Sequence, residues 1–165
     1  MNITKKIVLL GHFGVGKTSL IRRFVDNDFD TNYQVTIGVQ VKKKDVSLEK
    51  DTVSLLIWDI EGNTSIEKAR KTYLIGSSGF IYVFDLKRPE TFENLSSELE
   101  YLENNYPNTP VLTIGNKEDL IDLSERKEYF EVKNIKVDYF SSAKSGASVN
   151  EMFQDISKKL ILNES

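Results

Sequence analysis

The chain contains no cysteine, which excludes disulfides, thiol nucleophiles, thiolate metal sites and any cysteine-linked lipid anchor within these residues. A single histidine, His12, and two methionines leave no cluster for zinc or copper, so any metal must be held by oxygen. No apolar run approaches the roughly 20 residues needed to cross a bilayer, and the start of the chain lacks a signal peptide's long apolar stretch and small-residue cleavage site. Clustered positive charge is missing too: 22 Lys and Arg stand against 25 Asp and Glu, a net charge of -3, which argues against a sequence-independent grip on nucleic acid. What is present is ordinary for a folded chain. With 165 residues and 39 % hydrophobic content, the expectation is one domain over residues 1–165, with one core, monomeric and cytoplasmic.

Apolar, β-branched runs recur at Ile7 to Leu10, Val53 to Trp58, Phe80 to Phe84, Val111 to Ile114 and Val137 to Phe140. Between them lie helix-like stretches at Lys17 to Val25, Ser65 to Leu74, Thr91 to Asn104, Ser124 to Lys133 and Val149 to Leu162. Such alternation predicts a parallel sheet covered by helices. Thr91 with Asn94, and Ser148 with Glu151, stand where helix caps are wanted. One departure lies between Val39 and Trp58, where two strand-like runs are joined by Glu49-Lys50-Asp51 with no room for a crossover helix. That connection must be a hairpin. The shift of apolar phase between Val41 and Val46 predicts a bulge in its outer strand, an edge guarded by Lys42, Lys43 and Lys44. The expected architecture is an α/β three-layer sandwich, which the loop described next makes one of the phosphate-loop NTPase type. Its mostly parallel six-stranded sheet has one antiparallel edge strand and about five helices.

Directly after the first strand comes Gly11-His12-Phe13-Gly14-Val15-Gly16-Lys17-Thr18, followed by Ser19, with phosphate-loop spacing in strand-to-helix context. Glycines let successive backbone N–H groups turn inward around a polyphosphate, and the next helix directs its positive end at the same charge. Lys17 would reach the terminal phosphates and the Thr18 hydroxyl would bind Mg2+. After the strand ending at Trp58 stand Asp59, Ile60, Glu61 and Gly62. Asp59 would hold the hard cation, and the Gly62 N–H would meet the last phosphate of a triphosphate. An Asp-x-x-Gly alone is commonly a turn; here position gives it meaning.

A third group, Asn116-Lys117-Glu118-Asp119, chooses the base. A carboxylate at Asp119 accepts from guanine's ring N–H and exocyclic amino group, whereas adenine presents a lone pair there, so ATP is disfavoured. Asn116 can tie base to loop, and the Lys117 stem can lie over sugar and base. Fourth, Ser141-Ser142-Ala143-Lys144 follows the last strand, where a small residue lets a backbone N–H approach the guanine carbonyl. Each group falls just beyond the carboxyl end of a predicted parallel strand, where open α/β sheets bind ligands.

In order and spacing from Ile3 to Leu162 these residues resemble the small GTPases of the Ras superfamily. Thr36-Ile37-Gly38, Trp58 before Asp59, and Phe84-Asp85 are most similar to the Rab branch. The resemblance implies GTP/GDP and Mg2+ as cofactors and a molecular switch of signal transduction and vesicle trafficking. It implies Thr36 joining Thr18 on the metal when a third phosphate is present, and Phe29 packing edgewise on the base. It also implies partners (effectors, exchange factors and GTPase-activating proteins) on segments of about 26–45 and 58–75. Members commonly carry a prenylated cysteine; this chain has none, so attachment at a membrane would be peripheral, through a partner or a tail beyond these residues.

The catalytic segment departs from the family. A water-orienting Gln usually follows the Asp-x-x-Gly glycine; here it is Asn63, one methylene shorter, which would leave the water about 1 Å or more out of line, a displacement that can cost about 100-fold. Glu61 brings negative charge towards a negative transition state, and Phe13 crowds the approach to the terminal phosphate. Lys17 and Gly62 are retained. The expectation is a slow GTP-hydrolysing switch, the alternative a pseudo-GTPase that binds nucleotide without useful turnover.

Overall fold

A computed structural model describes residues 2–30, 36–63 and 65–163. Nine residues, Asn2–Leu10, form β1, and its carboxyl end opens into the glycine loop that feeds α1, Lys17–Asp26. The hairpin follows as β2, Val39–Ser47, and β3, Thr52–Ile60, closed by the Leu48 N–H donating to the Asp51 carbonyl at 2.8 Å. A short α2, Lys71–Leu74, leads to β4, Gly79–Asp85; then come α3, Leu95–Asn105, β5, Val111–Asn116, α4, Leu123–Val132, β6, Tyr139–Phe140, and α5, Val149–Leu162. The six strands lie in the order β2-β3-β1-β4-β5-β6, with β2 antiparallel to β3 and every other pair parallel.

Alternation along the strands builds two cores. In β4, Ile81 and Val83 face the layer of α1 and α5, while Phe80, Tyr82 and Phe84 face the layer of α2, α3 and α4. A strand buried on both faces reads as a continuous apolar run, as parallel strands do. Phe24 of α1 stacks on Phe153 of α5 with ring centroids 4.1 Å apart, closing the first layer. Neighbours of β1 on its two sides are β3 and β4, so chain direction diverges there. That divergence leaves a crevice at its carboxyl end.

Three local expectations are corrected. The predicted bulge is absent: β2 pairs with β3 without interruption from Val39 against Ile60 to Ser47 against Thr52. The apolar phase shifts because the strand's two ends serve different layers, Val46 in one core and Val39 against the other. Residues 66–74 do not form one helix. A 3-10 turn at Ile66–Lys68 is separated from α2 by Ala69 and Arg70 in extended conformation. The Glu98 carboxylate of α3 accepts the Ile66 N–H at 2.7 Å, and Ile66 and Ala69 are both buried in the core; this tertiary anchoring overrides the local helical pattern. Neither Asn94 nor Ser148 caps its helix through a side chain. Thr91 instead accepts the Asp85 N–H and donates to the Arg88 carbonyl, whereas Asp122 caps α4 through Ser124 N and Glu125 N.

Candidate functional site

The loop after β1 must turn back on itself within a few residues, and Gly16 carries the turn at φ +103°. A Cβ there would collide with the Asn116 side-chain amide, so the glycine permits the approach of two segments a hundred residues apart. The Asn116 amide, fully buried, donates to the Val15 carbonyl at 3.0 Å, and its oxygen accepts from the Ser141 hydroxyl at 3.0 Å. Lys117 arches over the same loop in a left-handed conformation, donating to the Gly14 carbonyl at 2.9 Å and pairing with buried Asp85 at 2.9 Å. Thus the ends of β1, β4 and β5 are cross-braced before any ligand is considered.

These braces surround a cavity of about 380 Å³, a size suited to a small molecule. Phe13, Gly14, Gly16, Lys17, Thr18 and Ser19 line one end, with Thr36 and Gly62 across from them. Phe29, Asn116, Lys117, Asp119, Ala143 and Lys144 are among the residues lining the rest. His12, Val15, Asp59 and Ser142 support it from behind: the His12 carbonyl accepts from Lys17 at 3.0 Å, and the Ser142 hydroxyl donates to Asp119 at 2.7 Å. Ala143 and Lys144 are held in turn by Arg23 of α1, whose guanidinium donates to their carbonyls at 2.8 and 2.6 Å.

Electrostatics favour an anion at the Lys17 end. Burial lowers the Lys17 ammonium to about 8, against the pull of Asp59, so it is a desolvated cation short of negative charge. Burial, then Arg88 and Lys17, also push the His12 imidazole below its ordinary value. Next to Lys17, the Thr18 hydroxyl donates to Asp59 Oδ2 at 2.5 Å and lies 2.8 Å from the Thr36 hydroxyl. Asp59 is buried, burial raises its pKa, and its Oδ1 has no hydrogen-bond partner among the described residues. An orphaned carboxylate oxygen beside two converging hydroxyls fits a hard divalent cation such as Mg2+.

Glu61 and Asn63 are not brought into this cavity. They line a separate small crevice with Gly11 and Tyr82. The Asn63 amide donates to the Glu61 carbonyl at 3.0 Å, and a Glu61 carboxylate oxygen accepts the Gly38 N–H at 3.4 Å. Gly62 between them presses on the glycine loop, since a Cβ there would overlap Phe13 N and Cα. Parts of the two expected partner segments, residues 31–35 and 64, lie outside the described residues. Sequence reading missed the roles of Asp85 and Arg88. Asp85 braces Lys117, and Arg88 donates to the Phe13 carbonyl at 2.9 Å; their signal was only a polar pair after an apolar strand. It also missed Ile60 and Leu120, which line the cavity with no motif to mark them.

A sheet of this order with a glycine loop at its divergence point defines a phosphate-loop nucleotide-binding sandwich. Comparison with known proteins narrows it. A family profile described as the Ras family matches residues 6–162. Rab-22A of Canis lupus familiaris is 36 % identical over 162 residues, covering 94 % of this chain and 82 % of its own. Rab-31 of Mus musculus is 35 % identical with the same coverage, and Rab-1 of Theileria annulata is 35 % identical, covering 94 % of this chain and 73 % of its own. The chain belongs to the Ras family of small GTPases, in its Rab branch. That family binds GTP and GDP with Mg2+.

Proposed function

We propose that residues 1–165 act as one monomeric guanine-nucleotide switch with slow intrinsic GTP hydrolysis, whose output is recruitment of partner proteins in vesicle trafficking. Lys17 and the backbone of Phe13 to Ser19 would bind the phosphates, and Thr18, Thr36 and Asp59 would hold Mg2+. Asp119, with Asn116, Lys117 and the loop Ser142 to Lys144, would read guanine. The cation, when bound, neutralises phosphate charge. Thr36, meeting the Thr18 hydroxyl across the cavity, would carry the loop before β2 into place when a third phosphate is present, and Gly62 would carry the segment after β3. Effectors, exchange factors and GTPase-activating proteins would read these segments, about 26–45 and 58–75.

The observation that carries the slow rate is the Asn63 amide, which donates to the Glu61 carbonyl in a crevice outside the cavity. Bound there, it does not orient a water against the terminal phosphate. Single-turnover release of phosphate from GTP tests this: the expected rate is at or below the order of 10⁻⁴ per second for an unassisted site, rising with Asn63→Gln. A rate well above that, or no gain in the variant, overturns it.

One feature favours the second reading, a nucleotide-bound module without useful turnover. Arg88 holds the Phe13 carbonyl, and the Phe13 ring is half exposed while lining the cavity, where a donated arginine would have to enter. Partner capture with GDP and with an uncleavable GTP analogue separates the two. Equal capture supports the module.

A further inference from the structure

We infer that Arg22, Asp28 and Asp30 form an ionic strap that sets how fast nucleotide leaves, by holding Phe29 as the aromatic wall of the cavity. The inference rests on the guanine-nucleotide reading of that cavity. Arg22 follows the phosphate loop by little more than one turn of α1, and it lines the cavity together with Phe29 and Asp30. The helix ends at Asn27 in a left-handed cap, which turns the chain back so that Asp28 faces Arg22. Two N–H groups of the guanidinium, Nε at 3.0 Å and Nη2 at 2.6 Å, converge on Asp28 Oδ2, and Nη1 reaches Asp30 Oδ2 at 3.5 Å.

The other oxygen of Asp28 accepts the N–H of Phe29 itself at 2.9 Å. One carboxylate therefore joins the helix that carries the phosphate loop to the backbone of the aromatic residue. Phe29 is partly buried and packs against the core layer that holds Phe24. A ligand leaving past Phe29 must swing this segment outward, and doing so breaks the Arg22 bonds to Asp28 Oδ2, while the local bond to the Phe29 N–H keeps the ring's backbone moving with that carboxylate. Arg22 and Asp28 are thus positioning residues, acting through Phe29. Because the pair is substantially exposed, salt screens it and its effect is modest; because both sides share one carboxylate, removing either partner releases the same strap.

Release of a fluorescent GDP into excess unlabelled GDP, on the whole chain with Mg2+, is the test. Arg22→Gln and Asp28→Asn are each expected to release roughly threefold to fivefold faster, the upper range for an exposed pair, and the double variant no faster than the quicker single one. Raising salt should bring the parent's rate towards that of the variants while theirs stays nearly flat, and Arg22→Lys should restore part of the slow rate as a single point charge. Lys42→Ala removes a different ion pair at the same helix end, Lys42 with Asp26 at 3.2 Å, and should leave release unaltered. An unchanged rate in Arg22→Gln, additive acceleration in the double variant, or equal acceleration in Lys42→Ala overturns the inference while leaving the nucleotide reading intact. Failure of the parent to bind labelled GDP overturns that reading instead.

Discussion

Replacing Gly62 with alanine should cost the chain its preference for a third phosphate. The added Cβ would overlap Phe13 N and Cα and come within 2.8 Å of the His12 carbonyl carbon. All three are backbone atoms of the glycine loop, which is itself pinned by Lys17, Lys117 and Arg88, so Gly62 is the segment that must retreat. Retreat strains the Asn63 N–H bond to the Gly11 carbonyl, 3.3 Å long, and withdraws the Gly62 N–H from the cavity it lines. A hydrogen bond to a charged acceptor contributes about 1.5–3 kcal/mol, or about 10- to 150-fold in affinity. Gly62→Ala should therefore weaken an uncleavable GTP analogue about 10- to 150-fold more than it weakens GDP. Calorimetric titration of stripped, Mg2+-replete protein with both ligands measures that ratio, and thermal unfolding checks that the variant is folded. A ratio unchanged from the parent would refute the assignment of Gly62 to the third phosphate, and unchanged affinity for both would refute the close approach itself.

Asp119→Asn should weaken GTP by up to the order of 10⁴-fold while favouring xanthosine triphosphate, whose added carbonyl suits an amide donor; competition binding decides, and unchanged GTP affinity would remove Asp119 from the base pocket. Asn116→Ala strands the Val15 carbonyl and the Ser141 hydroxyl in a buried site, a loss of about 2–4 kcal/mol that lowers the unfolding temperature by about 5–15 °C at fixed GDP; a fall of less than about 2 °C would show the brace to be replaceable. Thr18→Ala removes the hydroxyl shared by Asp59 and Thr36, and should weaken the Mg2+ dependence of GTP-analogue binding about tenfold or more; a titration of affinity against Mg2+ that overlays the parent's would contradict the metal assignment.

Much of the architecture was legible because both-face burial leaves a plain signature: Phe80 to Phe84 is apolar without a break and Val53 to Trp58 is broken only by Ser54, and the polar Glu49-Lys50-Asp51 left only a hairpin between β2 and β3. Glycines and carboxylates at strand ends marked the cavity for the same reason, since Gly16 and Asp119 stand where the topology needs them. Long-range bonds erased the rest of the pattern. Nothing near Ile66 announces that Glu98 will take its N–H, and nothing near Thr91 says that its hydroxyl serves Asp85 rather than a helix. Asn63 was identified by its position, but its engagement with the Glu61 carbonyl depends on how the segment lies against Gly11.

The last strand of the sheet, β6, is only two residues long, so the loop proposed to read the base has little sheet of its own to stand on. It hangs instead from Asn116 and from Arg23 of the helix that begins in the phosphate loop. On the proposed reading, grip at the two ends of a nucleotide would be mechanically shared. A partner that pried one end open would slacken the other, and eviction would need a lever at only one place.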